Sequence, residues 1–267
     1  MLDGFNKITA EDIAKVQIKG NFHTHNYLCG HACGTVSDYV AEAVKNGLEE
    51  IGISDHCAPP VGTAEPYLDP ETVKTKYLPQ FREAEKLYGG KIKILKGAEI
   101  DYFPGYDGYY KNLLGSLDYL VLGQHEYLLN GSRKCSFWDG VDEENIIAYC
   151  EQVKKGLKTN LFSVLAHPDV IFYAMPHPSE RMKSAFETVV AEAKRSGVPL
   201  ELNANGVRSH GFRYPTALLV DLCKKHNAKV IISSDCHTPQ ALCDEYVLKL
   251  YAYAKKQNLD IAESISV

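Results

Sequence analysis

The sequence predicts an α/β fold, a parallel barrel of seven strand–helix units. Three observations predict it. Seven short, continuously apolar runs alternate with amphipathic helical stretches along the chain, as in sheets whose strands are buried on both faces. Nearly every run ends in His, Asp or Glu. The 267 residues are also enough for one barrel. An open doubly wound sheet has its ligand crevice at one switch point. A closed barrel brings every strand end to one face, which suits ligand-type residues after almost every strand.

The first strand, 17–22, leads into His23-Thr24-His25, and a helix over 37–46 follows. Ser37 is its expected N-cap and Gly47 its stop, with Val40, Ala43 and Val44 on one face. Strand 50–53 leads to Ser54-Asp55-His56, and the helical stretch 70–88 behind it contains Pro79, which should kink or divide it. Strand 92–98 ends in Glu99-Ile100-Asp101 before a helix over 108–114, and strand 119–123 leads to His125-Glu126 before a helix over 143–159. Strand 162–166 reaches His167-Pro168-Asp169, where Pro168 disfavours helix at His167 and should hold it extended. A helix over 178–196 follows. Strand 199–202 ends in Asn203-Ala204-Asn205 before a helix over 215–226. The last strand, 230–233, leads to Asp235-Cys236-His237 and a helix over 244–257. No linker-like or low-complexity run interrupts the series, so residues 1–267 are expected to form one domain.

Composition excludes several functions. A net charge of -5 argues against a general grip on nucleic acid or anionic membrane. No stretch approaches the roughly 20 apolar residues of a membrane span. The first 20 residues lack the apolar core of a signal peptide, so a cytoplasmic protein is expected. The eight cysteines are widely spread and do not suggest a disulfide framework. Cys29, Cys33, Cys57 and Cys236 stand beside candidate ligands. Thiolates would favour a closed structural zinc site, whereas imidazoles with carboxylates suit an open, catalytic one.

The strand-end residues predict a metal site. His23 and His25 share one face of an extended segment, two residues apart, and can grip one ion. Glu99, at the mouth of a barrel, can bridge two ions with its two oxygens. His226, on a helix, and His177, in a Pro-rich loop, are read as structural.

The ordered set His23-Thr24-His25 with His31, Ser54-Asp55-His56, Gly97-Ala98-Glu99, Gly123-Gln124-His125, Ala166-His167-Pro168-Asp169 and Ser234-Asp235-Cys236-His237 resembles the PHP (polymerase and histidinol phosphatase) superfamily. Within it, the chain looks most like the monofunctional histidinol-phosphate phosphatases. The resemblance implies a distorted, TIM-like barrel of seven βα units with three ions at its mouth, zinc, iron or manganese. His23, His25, Glu99 and Asp235 would hold the first; Glu99, His125 and His167 the second; His31, His56 and His237 the third. Asp55 and Asp169 would orient imidazoles from behind.

The implied reaction is hydrolysis of L-histidinol phosphate, a step of histidine biosynthesis, with Glu99 and Asp235 at the catalytic centre. A hydroxide shared by two ions would attack phosphorus in line with the leaving alkoxide, and the third ion would offset charge on the phosphate. Arg208, in the loop after the sixth strand, is the best candidate to take the phosphate bidentately; Arg213 and Arg133 are weaker ones. His210 is a candidate proton donor to the leaving oxygen, as is a water held by an ion. Phe137, Trp138 and Asp139 offer an aromatic face and an acceptor for an amine, and Tyr102, Tyr106, Tyr109 and Tyr110 cluster after the third strand. The alternatives are a phosphoesterase for nucleotides or another small phosphate, a carbon–nitrogen hydrolase, and a metal-dependent binding or proofreading module.

Overall fold

In a computed structural model, which describes residues 2–63, 65–175 and 177–267, seven parallel strands form one sheet in chain order. They are β1 (Gly20–Asn21), β2 (Glu50–Ile53), β3 (Lys93–Ile100), β4 (Tyr119–Leu122), β7 (Val164–Leu165), β8 (Leu200–Asn203) and β9 (Val230–Ser233). The two edges meet just beyond their strands, where Thr24 bridges Cys236, His25 N donates to Cys236 O and Asp235 N to His23 O. The result is a nearly closed barrel of the expected TIM-like kind.

Helices α2 (Val36–Lys45), α5 (Asp107–Leu114), α6 (Glu143–Lys158), α7 (Glu180–Ser196), α9 (Ala217–His226) and α10 (Glu245–Lys256) pack their apolar faces on the outside of the strands. Thr35, not Ser37, caps α2. Its hydroxyl accepts from Asp38 N and Asp38 answers to Thr35 N, a reciprocal box that outcompetes the later serine. The stretch with Pro79 is divided as expected, into α3 (Pro70–Thr72), a π-helical turn over Val73–Tyr77 and α4 (Leu78–Tyr88). Proline removes an amide donor, and the preceding turn widens around that gap. Besides short 3-10 turns, the elements outside the sequence expectations include the N-terminal α1 (Ala10–Ala14), the hairpin of β5 (Glu126–Leu129) and β6 (Ser132–Cys135), and α8 (Ala204–Arg208).

Two apolar layers hold the barrel. The larger lies between sheet and helices. The smaller fills the barrel itself with Phe22, Leu95, Tyr119, Val121, Val164, Ala166 and Ile231. Tyr119 crosses this interior. A methyl at Gly52 or Gly97 would overlap its ring, and its hydroxyl donates to Phe22 O at 2.8 Å. The inner layer is therefore a packed floor, and the space above it at the strand C-termini is left for polar side chains. At the opposite end Ala262 and Ile265 close over the same layer. Among the described residues no helix is long and apolar enough to cross a membrane.

Candidate metal centre

Side chains alternate along β3, so Glu99 faces inward with Leu95, two pleats above the floor. It is 1% exposed. A methyl at Gly123 would overlap its carboxylate, so the end of β4 needs a glycine there. Five imidazoles surround this one carboxylate. His56 Nδ1 stands 3.0 Å, His23 Nε2 3.2 Å and His25 Nε2 3.5 Å from Oε2. His167 Nε2 stands 2.9 Å and His125 Nε2 3.5 Å from Oε1. Asp235 Oδ1 lies 3.1 Å from His25 Nε2. His237 stacks on His25 with ring centroids 4.6 Å apart, and His31 sits at the exposed rim 4.8 Å from His237.

The donor atoms close into groups that fit a cation. His23, His25 and Asp235 form one, His23, Glu99 and His167 a second, His56, Glu99 and His125 a third, and His25, His56 and His237 a fourth. His31 belongs to none of these groups; its Nδ1 donates to Cys29 O at 3.0 Å. Among the described residues, buried His23 Nε2, His25 Nε2 and Glu99 Oε2 find no hydrogen-bond partner. Unpaired buried polar atoms are costly, and a cation among them removes the cost. The mixed nitrogen and oxygen set suits zinc, iron or manganese.

Electrostatics follow the same geometry. Burial works against charge on His25, yet the Asp235 and Asp55 carboxylates beside it raise its pKa to about 9. Burial also opposes ionisation of Glu99, but His23, His125 and His56 hold its carboxyl well below the usual range. Burial, with His167 near His125 and His25 near His237, pushes both His125 and His237 down to about 4. Burial likewise raises the Cys29 and Cys236 thiols to about 12. Cys29 nonetheless lies in one donor group with His25 and Asp55.

Carboxylates stand behind several imidazoles. Asp55 Oδ1 lies 3.6 Å from His25 Nδ1 and accepts from His56 N at 3.0 Å. Asp169 instead accepts from Thr216 N at 2.6 Å, tying a loop rather than an imidazole. His167 is not extended; it has φ 26° and ψ 55°. Proline after it excludes the right-handed helical region, and Glu201 Oε2 holds its amide at 3.0 Å in the left-handed one. Glu201 escaped the sequence reading. Its signal was its place: a charged residue between Leu200 and Leu202 in a fully buried strand must face inward.

A cavity of about 490 Å³ opens above the cluster, with Tyr67, Phe137, His210, Tyr214 and Arg208 in its wall. Burial lowers the His210 pKa, and its ring stacks on Tyr214 at 5.5 Å. Arg208 is its only Lys or Arg among the described residues. Its guanidinium donates from Nε to Asp244 Oδ2 at 2.6 Å, and from the other two nitrogens to Ser234 O and Ala241 O at 3.2 Å each. Two of its five N–H groups remain for a ligand. The other two arginines do not reach this wall. Arg133 pairs with Glu126 over the Phe103 ring. Arg213 donates to Tyr173 O at 2.8 Å and lines a separate cavity with Lys183. Trp138 is 68% exposed, and Asp139 is engaged by Cys135 N. The four clustered tyrosines lie outside the wall; Tyr109, for one, donates to Ala58 O.

The model of one protein family, described as the PHP domain, matches residues 21–205. The chain belongs to the PHP-domain family. This PHP protein is 25% identical over 235 residues to a Deinococcus radiodurans protein named "Probable histidinol-phosphatase", covering 81% of this chain and 85% of that one. It is 29% identical over 219 residues to a "Probable phosphatase" of Acetivibrio thermocellus, covering 80% and 78%. Among solved structures, the histidinol phosphate phosphatase of Lactococcus lactis, in complex with zinc, L-histidinol and phosphate, shares the fold. The TM-score is 0.67 at 15% identity, covering 93% of this chain and 99% of that one. The PHP match ends before Asp235 and His237, which the barrel supplies from the end of β9.

Proposed function

We propose that the chain, as a single domain of residues 1–267, is a metal-dependent phosphomonoesterase. Its substrate is L-histidinol phosphate and its products are L-histidinol and phosphate. The observation that carries this reading is the single carboxylate of Glu99 inside a ring of five imidazoles, below a cavity with one arginine in its wall. The names of the relatives support the substrate.

In this reading three ions, zinc, iron or manganese, would be held by His23, His25, Glu99 and Asp235, by Glu99, His125 and His167, and by His31, His56 and His237. When bound, such ions lower the pKa of water and offset phosphate charge. The chain's own residues do the rest. Arg208 presents its two free N–H groups to phosphate oxygens, with Asp244 fixing the plane of the guanidinium. His210, in the cavity wall, hands a proton to the leaving oxygen. Tyr67, Phe137 and Tyr214 exclude water and give a planar face to the alcohol part of the substrate. The packed floor of the barrel keeps water from reaching Glu99 from beneath.

A second reading, a phosphoesterase for nucleotides or another small phosphate, is favoured by one feature. Among the described residues, Glu99 and Asp235 are the only carboxylates in the cavity wall, which leaves no separate carboxylate to pair with a substrate amine. Comparing turnover of histidinol phosphate with that of nucleoside monophosphates separates the two. A clear preference for histidinol phosphate is expected; equal kcat/KM would overturn the specific assignment. Glu99→Gln is expected to lose metal and activity together, and a variant with full metal content and wild-type turnover would remove Glu99 from its bridging role.

A further inference from the structure

Glu201 is 0% exposed and enters the barrel from β8. Every group it meets is a donor. Its Oε1 lies 2.8 Å from His23 Nδ1, and its Oε2 accepts from His167 N at 3.0 Å and Asn203 Nδ2 at 2.8 Å. Asn203 Nδ2 also reaches Asp235 Oδ2 at 3.0 Å. One carboxylate thus joins residues that follow β1, β7 and β9, and three of them are expected ligands. Two of the three are non-glycine residues with positive φ, 26° at His167 and 44° at Asp235. Such backbone persists only where its surroundings over-determine it.

We propose that Glu201 is the positioning residue of the metal centre. It places the His23 proton on Nδ1, so that the unpartnered Nε2 facing Glu99 is free to bind. It also holds the turn at His167 and, through Asn203, the Asp235 carboxylate. The inference rests on the metal reading above. A glutamine of the same shape cannot substitute. If its NH₂ replaced Oε2 it would face two N–H donors; if it replaced Oε1 it would drive the His23 proton onto Nε2, toward the ion.

The test uses the full chain with Glu201→Gln and Glu201→Asp, and reads zinc affinity by chelator competition and the visible spectrum of the cobalt(II)-loaded protein. Zinc binding about 10–100-fold weaker in E201Q is expected, with an altered cobalt spectrum. E201D, which keeps the charge and the acceptors, should recover part of both. Should E201Q fail to fold, E201D decides by the same two readouts. Wild-type protein that binds neither zinc nor cobalt would sink the metal reading and the proposal with it. A wild type that binds both ions, beside variants of equal affinity and identical spectrum, would sink the proposal alone, even if their thermal stability fell.

Discussion

The backbone at Gly123 and the carboxylate of Glu99 occupy space that a single methyl would contest. Gly123→Ala should therefore fold, because the clash lies at the open end of the barrel, but push Glu99 aside. Displacement of a reacting group by about 1 Å costs roughly 10²-fold in rate, so kcat/KM should fall by about that factor with reduced metal content on elemental analysis. Arg208→Lys keeps the charge but cannot meet Asp244, Ser234 O and Ala241 O while offering two further N–H groups. We expect KM to rise about tenfold or more with a smaller change in kcat, measured by steady-state kinetics. The strand-end histidines and Glu99 were legible in the sequence because they followed apolar runs, whereas His31 was legible only through the family resemblance. Glu201 was not, because it sits inside one, and a one-dimensional pattern does not say which buried face is wet.

Helix α10 and the π-helical turn show how an element can serve the centre without touching it. Asp244 caps α10 through Oδ1, which accepts from Tyr246 N and Val247 N at 3.1 Å, and grips Arg208 through Oδ2. Asp244→Asn keeps a good cap and loses the charge, so it should weaken phosphate inhibition while leaving the melting temperature nearly unchanged. Asp244→Ala should lose both, with about 1 kcal/mol of stability. Product inhibition and thermal unfolding together check the pair. In the π-helical turn, the Tyr77 hydroxyl lies 2.8 Å from Ile53 O and 2.9 Å from Gly97 O, tying β2 to β3 near their C-terminal ends. Tyr77→Phe is expected to cost about 1–3 kcal/mol, read as a lower melting temperature. The strands and long helices were legible from apolar periodicity. The β5–β6 hairpin was not, because SRKC and EYLL have little of the alternation that marks a half-buried strand.

For the whole molecule, a bound ion that prefers the folded chain stabilises it by mass action, about 4 kcal/mol at a thousandfold excess over Kd. Removing metal with a chelator should lower the melting temperature by roughly 10 °C for a chain of this size, and zinc or manganese should restore it. A barrel was legible because six ligand-bearing ends among seven strands need one common face. The way the barrel closes was not, since it depends on backbone bonds between segments at the two ends of the sequence that no local pattern announces.

That closure has a kinetic consequence. The bonds that seal β1 against β9 join His23 to residues such as Ser234, 211 positions later, and the same two segments carry His23, His25, Asp235 and His237. A nascent or half-folded chain has some of these donors but never the complete arrangement, because loop-closure entropy makes so distant a pairing a late event. Tight metal capture is thus expected only once folding is finished, and a chain that stalls short of the last strand is expected to bind metal weakly.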